Sequence, residues 1–367
     1  AVAARIGLAD DDSPVLEGTA IDALDDRALI DRLRGAAILA RTTPEQKLRI
    51  VRALQAAGEV VTVTGDGVND APALRVADVG IAMGRRGTEV AKQASDIVLL
   101  DENFATIVAA IEEGRTLRHN IRRFASYVFT SNVAELAPFL LYIFLPVPLP
   151  LTILQVLAID LGTDMLPALA LGIEPPSRRT LATSPDPQRS PLMTRALALR
   201  TFLFYGLIES ALGLVAFFTV FWVEGWRPFA SLVPFQAAAR AASTLTFLGI
   251  VGGQIGCLFA QRDGPLRARL SLRRNPWIAL GLAVELVLAL VLVYVPGLDS
   301  VFSMAPVSPA WLVALPVSAA IVIAADHVRR ARASEREQPG ARQRPSARRD
   351  GRSPSLCKGG GLLRCDG

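Results

Sequence analysis

Cysteine is scarce in this chain of 367 residues: Cys257, Cys357 and Cys365 are the three present. They are too few and too irregularly spaced for a disulfide framework or a zinc site. A strong charge of one sign is also lacking. The formal balance is +5, and much of the excess arginine lies in loops beside hydrophobic runs or in the tail. That pattern argues against a nucleic-acid partner and fits the cytoplasmic bias of basic loops in membrane proteins. No basic stretch followed by a long apolar core opens the chain, so no secretory signal is read. The opening, Ala1-Val2-Ala3-Ala4-Arg5, has no Met and reads as the inside of a domain. The chain is therefore expected to be a C-terminal portion of something longer.

What is abundant is hydrophobic sequence, 51% of residues, unevenly placed. Up to about residue 103 the pattern alternates. A short amphipathic helix is predicted at 24–33, and another opens at Pro44 with Leu48, Val51 and Leu54 at helical spacing. A strand at 59–64, a Gly-rich turn and a helix at 71–76 follow, then a strand at 79–83, a helix near 87–94 and a strand at 97–100. Strands alternating with helices predict a doubly wound α/β fold with a parallel sheet, whose ligands sit beyond the carboxyl ends of the strands. From Phe104 a helical, charged stretch leads with no strong break into six hydrophobic spans. They lie near 123–145, 151–172, 198–223, 242–260, 277–296 and 310–325, each long enough to cross a bilayer, the last only marginally.

Loop charge sets the orientation. Arg178, Arg179, Arg189, Arg195 and Arg200 follow the second span, Arg262, Arg267, Arg269, Arg273 and Arg274 the fourth, and Arg329 and Arg330 the sixth. The opposite loops carry little charge. The α/β part and the tail are both expected on the cytoplasmic side, which an even number of crossings allows. The tail at 329–367, rich in Arg, Pro, Gly and Ser, is expected to be disordered.

Two constellations carry chemistry. The first follows the strand: Thr64-Gly65-Asp66-Gly67-Val68-Asn69-Asp70-Ala71-Pro72-Ala73-Leu74. A phosphoryl group usually needs Mg²⁺, held by one or two carboxylates and phosphate oxygens, and a cation on the phosphate itself. Asp66 and Asp70 offer carboxylates, Asn69 an amide, and Lys47, placed just ahead of the preceding helix, the cation. Thr64, Gly65, Asp66 and Gly67 are the backbone that would approach the phosphate and its Mg²⁺. Each residue alone also reads as a plain turn or a solvated side chain.

The second constellation lies in the spans. Ser131, Asn132 and Glu135 share one helical face by spacing, and Asp160, Thr163 and Asp164 share another, both near the middle of their spans. An ionised side chain there costs about 2.5–3.5 kcal/mol on insertion scales, so such residues usually bind something. Carboxylates with amide and hydroxyl oxygens suit a hard or alkali cation. Pro138, Pro167 and Gly162 are expected to loosen backbone near them. Gln254 and Glu285 are further buried polar candidates, equally readable as satisfied interhelical hydrogen bonds. Structural ion pairing of all these acids is the alternative, and the spans offer almost no Lys or Arg for it.

The string 64–74, with Ala40-Arg41-Thr42-Thr43-Pro44-Glu45-Gln46-Lys47 upstream and Val79-Gly80-Ile81-Ala82-Met83-Gly84 downstream, resembles the phosphorylation domain of the P-type cation-transporting ATPases. That is a haloacid-dehalogenase-like fold. Thr130-Ser131-Asn132-Val133-Ala134-Glu135 resembles the fifth membrane helix of the P2 subgroup, and 159–167 the sixth. Aspartate at 160 is similar to the sodium/potassium and proton/potassium pumps, where calcium pumps of the sarcoplasmic type carry Asn. The resemblance implies that Asp66 binds Mg²⁺, that Lys47 contacts the phosphoryl group and that Asn69 and Asp70 support them. It places Glu135, Asp160, Asp164, Asn132 and Thr163, with Ser131 and Gln254, around the transported cation. It further implies four regions: part of the phosphorylation domain at 1–103, a stalk helix at 104–122, six helices at 123–328 equivalent to the fifth to tenth, and the tail.

The family's Asp-Lys-Thr-Gly nucleophile, nucleotide-binding domain and actuator loop are not found in this sequence. The expected function is thus the C-terminal part of an ATP-driven cation pump in the cell membrane, with ATP as substrate of the complete protein and the N-terminal half as partner. This chain alone is expected to be inactive. A non-catalytic membrane remnant and a membrane-anchored phosphatase of the same fold are the alternatives.

Overall fold

The computed structural model describes residues 15–35, 38–101, 103–176, 191–227 and 230–337, which separate into two compact units, one ending at Glu113 and the other beginning at Gly114. Arg178, Arg179, Arg189, Cys357 and Cys365 lie outside the described residues, as does the tail from 338 on.

The first unit holds two parallel sheets. Strands β1 (Val15–Glu17) and β2 (Ile38–Ala40) pair in one; β3 (Thr62–Gly65), β4 (Val79–Met83) and β5 (Ile97–Leu99) pair in that order in the other. Besides a short helical segment at Gly18–Asp22, the helices between strands are α1 (Asp26–Gly35), α2 (Pro44–Ala56), α3 (Ala71–Val76) and α4 (Glu89–Ala94). Sequence reasoning missed β1 and β2, which at three residues each are too short to show a period. It also began β3 too early. Val61 bonds through its amide to Asp78 Oδ2 (2.9 Å), and its carbonyl takes the Asp78 and Val79 amides, so the ladder starts one residue later. Helix α2 starts as read from Pro44: Thr43 caps it, accepting from the Gln46 amide while Gln46 Oε1 accepts from the Thr43 amide. Lys47 therefore sits inside the first turn of α2 rather than ahead of it. Leu16, Ile21, Leu29, Leu33 and Ile50 form the core of the β1/β2 part, and Leu74, Ala82 and Ala91 bury the helices on the β3–β5 sheet.

Among the described residues six helices are long and apolar enough to cross a membrane. They are α5 (Phe104–Phe144), α6 (Ile153–Gly172), α7 (Arg195–Val223), α8 (Ala239–Gln261), α9 (Pro276–Tyr294) and α10 (Ala314–Glu337). The charged stretch 104–122 and the first span form one uninterrupted helix. Two helices depart from α geometry. Ile159–Thr163 in α6 and Leu199–Tyr205 in α7 are π-helical turns, which widen the ladder by one residue. In α6 the Asp164 amide reaches back to the Ile159 carbonyl at 2.9 Å. The tail expectation needs correction at its start: α10 continues to Glu337, because Arg329 and Arg330 fold back onto Asp326 one turn earlier.

The second unit is built around α8, buried along nearly its whole length between α7 and α10. Apolar association gains little in lipid, so close backbone approach at small residues has to hold such a helix. A Cβ at Gly252 would lie 2.5 Å from the Leu315 carbonyl oxygen, and one at Gly256 would lie 2.6 Å from that of Ala319. Both obstacles are backbone and cannot move aside. Gly252→Val should therefore destabilise the membrane unit by about 2 kcal/mol or more, read as a lowered unfolding midpoint in detergent. Gly114→Ala, where a Cβ meets nothing within 4 Å, should be neutral or stabilising by up to about 1 kcal/mol. Equal midpoints for wild type and Gly252→Val would refute the close-approach account.

Candidate functional site

In the first unit, Asp66 stands directly beyond the carboxyl end of β3. Its carbonyl accepts from the Thr88 amide at 2.9 Å, which ties the turn to the start of α4. Its carboxylate is exposed and makes no hydrogen bond among the described residues. Asp70 is turned inward: Oδ1 accepts from Lys47 Nζ at 2.7 Å and Oδ2 from the Gly67 amide at 3.2 Å. Gly65 makes this possible, since a Cβ there would come within 2.5 Å of Asp70 Cβ. Burial works against the charged form of Asp70, but the Lys47 ammonium and the Gly67 and Asp66 amides outweigh it and hold the carboxyl below its usual range. Asn69 and Thr64 are exposed beside it. Lys47 and Asp70 are thus brought together, and Gly67 spends its amide on Asp70. Asp66 is left as a free carboxylate, suited to a hard cation that brings phosphate and water ligands of its own. Among the described residues no cluster of three acidic, His or Cys side chains would hold a metal unaided.

In the second unit, Ser131 and Glu135 lie one turn apart on the buried face of α5, and Ser131 Oγ donates to Glu135 Oε1 at 3.1 Å. Gln254 of α8 donates through Nε2 to the same hydroxyl, and its Oε1 is buried with no partner. Asp164 is buried just after the π-helical turn of α6, where Tyr127 of α5 donates to Oδ1 at 2.8 Å. Asp160 and Asp164 both lie within electrostatic reach of Glu135. Three helices therefore bring Ser131, Glu135, Asp164 and Gln254 together.

Three of the proposed residues sit differently. Asn132 is exposed: the packed face of α5 is the one through Ser131 and Glu135, and Asn132 lies on its shoulder. Asp160 is only half-buried. The Thr163 hydroxyl donates to the Ile159 carbonyl at 3.2 Å, on its own helix. Sequence reasoning also missed two members. Glu209 of α7 is fully buried near the Cys257 thiol, and neither of its carboxylate oxygens has a hydrogen-bond partner among the described residues. It carries the same signal as Glu135, a lone acid in an apolar span. Tyr127 gave no signal, because a tyrosine in a span usually marks an interface. Glu285 of α9 is likewise fully buried with both oxygens unpartnered.

Other buried acids are paired. Glu174 accepts from Arg262 at 2.8 Å and from Asn275 at 3.0 Å, and Asp326 accepts from Arg269, Arg329 and Arg330. Asp263 holds Arg123 and His119. Burial opposes its charge, but these two neighbours keep its carboxyl well below the usual range.

The family profile described as "Cation transporting ATPase, C-terminus" matches residues 148–331. The chain belongs to the P-type cation-transporting ATPases. It is 36% identical to the sodium/potassium-transporting ATPase subunit alpha-4 of Rattus norvegicus, over 78% of this chain and 30% of that protein. It is 34% identical to the potassium-transporting ATPase alpha chain 1 of Xenopus laevis, over 84% of this chain and 33% of that protein. With the probable cation-transporting ATPase F of Mycobacterium tuberculosis the identity is 37%, over 88% and 35%. The chain spans about a third of the length of the curated relatives it matches. As a member of this family it is a multi-pass membrane protein with an α/β unit ahead of its membrane helices.

The Lys47–Asp70 pair makes a pH prediction. Asp70 has a lowered folded-state pKa, so its contribution is complete above the unfolded value of about 4 and is lost as pH falls through the folded value. Lys47 is 41% exposed, so solvent screening limits the contribution to about 0.5–1 kcal/mol. Hydrogen exchange of the β3 and β4 amides in the whole chain should quicken as pH drops below about 4, beyond the intrinsic pH dependence of exchange. Asp70→Asn should show the faster opening already at neutral pH. Identical protection in the two proteins would remove the pair from the account.

Proposed function

We propose that this chain is the C-terminal part of an ATP-driven cation pump, carrying the Mg²⁺ and phosphate turn of a haloacid-dehalogenase-like phosphorylation domain and much of the intramembrane cation site. The observation that carries this reading is the meeting of Glu135, Asp164, Ser131 and Gln254 from three helices with no arginine or lysine among their hydrogen-bond partners. Carboxylates buried without a partner cation bind a proton or a metal cation, or they destabilise the fold.

On this reading Asp66 holds Mg²⁺ together with phosphate oxygens, and Mg²⁺ when bound neutralises charge on the transferring phosphoryl group. Lys47 stands two hydrogen bonds from the turn's backbone and contacts the phosphoryl group, with Asp70 fixing its position and Asn69 at the rim. In the membrane, Glu135 and Asp164 are the central ligands. The carbonyls of Ala134 and Thr163 lack a helical amide because residues 138 and 167 are proline, and they add neutral oxygens of the kind hard and alkali cations take. Asp160, Asn132 and Thr163 complete the site from its open side. The α/β unit faces the cytoplasm of the cell, as the arginine-rich connections require. ATP is the substrate of the complete pump, and α5, continuous from 104 to 144, links the phosphate switch to Glu135. Phosphorylation moves the site only by its differential affinity for two conformations.

Two experiments test this. In an intact pump containing this region, Asp66→Asn should abolish Mg²⁺-dependent phosphorylation, whereas Asp164→Asn should lower cation affinity about tenfold or more, as loss of a charged buried ligand implies. Unchanged cation stimulation in Asp164→Asn would refute the membrane site. In this chain alone, γ-labelled ATP with Mg²⁺ should give no acid-stable phosphoenzyme, and a hydrophobic carbodiimide should modify Glu135. Sodium, potassium or calcium at ten times its Kd should slow that modification about tenfold by mass action. Modification indifferent to all three would count against cation binding here.

A further inference from the structure

Glu209 stands midway along α7, at a level where small residues let two neighbouring helices come close. On one side is α5: a Cβ at Gly206 would lie 2.7 Å from Val133 Cβ, and Ser210 Oγ donates to the Val133 carbonyl at 3.3 Å. Val133 is two residues from Glu135. On the other side is α8, where a Cβ at Gly253 would come within 2.9 Å of Glu209 Cγ. Glycine at 253 therefore leaves the room that the Glu209 side chain fills, one residue before Gln254.

The carboxylate so placed has nothing to hold. It is fully buried, and among the described residues neither of its oxygens has a hydrogen-bond partner. Cys257 stands near it on α8, and a thiol is only a weak donor. Its electrical surroundings are negative: Asp164 of α6 and Glu135 of α5 lie within electrostatic reach, as does Glu285 of α9. An ionised acid in such a place needs a positive charge nearby. Glu174, Asp263 and Asp326 obtain one from arginine, whereas no arginine or lysine is bonded to Glu209.

We infer, on the cation-site reading proposed above, that Glu209 is a specificity-determining acid of that site, supplied by a fourth helix: its charge strengthens cation binding at Glu135 and Asp164, and does so more for a divalent than for a monovalent ion. Among the described residues no group of three acidic, His or Cys side chains is placed to share one metal. Glu209 therefore acts across space by Coulomb attraction, without a bond of its own to the passenger. That attraction is strong where water is excluded, and it doubles when the charge of the ion doubles. The passenger in turn supplies the positive charge that the fold withholds from Glu209.

The test uses the whole chain in mild detergent, with sodium, potassium and calcium as probes and protection of Glu135 from the hydrophobic carbodiimide as the measure of binding. Glu209→Gln should raise the protecting concentration about tenfold for sodium or potassium and about a hundredfold for calcium, since the Coulomb energy scales with the charge of the ion. Glu209→Asp, which keeps the charge, should restore most of the affinity. In cation-free buffer Glu209→Gln should unfold at the wild-type midpoint or above it, because the substitution removes an acid without a partner. Should that variant fail to fold, peptide mapping of the wild type decides: calcium should slow modification of Glu209 at the concentrations that protect Glu135. Unchanged protecting concentrations in Glu209→Gln, equal losses for sodium and calcium, or a Glu209 indifferent to calcium that protects Glu135 would each overturn the assignment and leave the Glu135 and Asp164 site standing. A wild type in which none of the three cations protects Glu135 would remove that site and this role together.

Discussion

An ionised carboxylate taken out of water must be given a partner, and the membrane unit is organised by how each of its acids meets that demand. Glu174, Asp263 and Asp326 are answered by arginine, close to the ends of the spans. Glu135, Asp164, Glu209 and Glu285 are deeper within their spans and have no arginine or lysine bonded to them. The two groups differ in what can be done with them. An acid locked to arginine is finished chemically, because a competing cation would have to displace a guanidinium that donates two or more bonds. An acid held by Ser131, Gln254 or Tyr127 keeps lone pairs available, and a neutral donor can turn away when a cation arrives.

Backbone irregularity serves the same division. The π-helical turn Ile159–Thr163 rotates Asp164 inward to meet Tyr127 while leaving Asp160 at the half-buried edge. A regular helix would have kept the two residues, four apart, on one face. Prolines 138 and 167 each remove one amide from a span, and the carbonyls so released lie within a turn of Glu135 and Asp164. Rigidity comes from elsewhere: α8, threaded between α7 and α10 with glycine at its closest crossings, gives Gln254 a fixed post from which to reach Ser131.

The alternation of strands and helices, the six spans and the acids of the first two spans were legible because each rests on a local signal of period, length or charge. Lys47 with Asp70 was legible as chemistry, although their direct contact was not, since it depends on the absence of a side chain at Gly65. The exposure of Asn132 was not legible, because i, i+3 spacing states that two residues are neighbours and says nothing of which side the next helix covers. Glu209 was available as a lone acid in the third span and was passed over. The β1/β2 pair was beyond reach, since three residues cannot show alternation and its partner strand lies more than twenty residues away. The extension of α10 past Arg329 was hidden by composition: Arg-rich sequence reads as solvated tail until Asp326 is seen to hold it.

The turn that follows β3 repeats on a small scale what the membrane unit does on a large one. Two carboxylates occur four residues apart, and the fold commits one and releases the other. Asp70 is drawn in by Lys47 and the Gly67 amide, which sets the position of the lysine and the shape of the turn. Asp66 is held through its backbone, by its carbonyl to Thr88 and its amide toward Asp70, and its carboxylate makes no hydrogen bond among the described residues. On the function proposed above, were the roles merged in one residue, each arrival or departure of a cation would cost the turn its own internal bonds. Separating the structural acid from the available one lets charge come and go while the scaffold stays put. The same logic makes Asp326 and Glu174 the fixed points against which Glu135 and Asp164 are free to change partners.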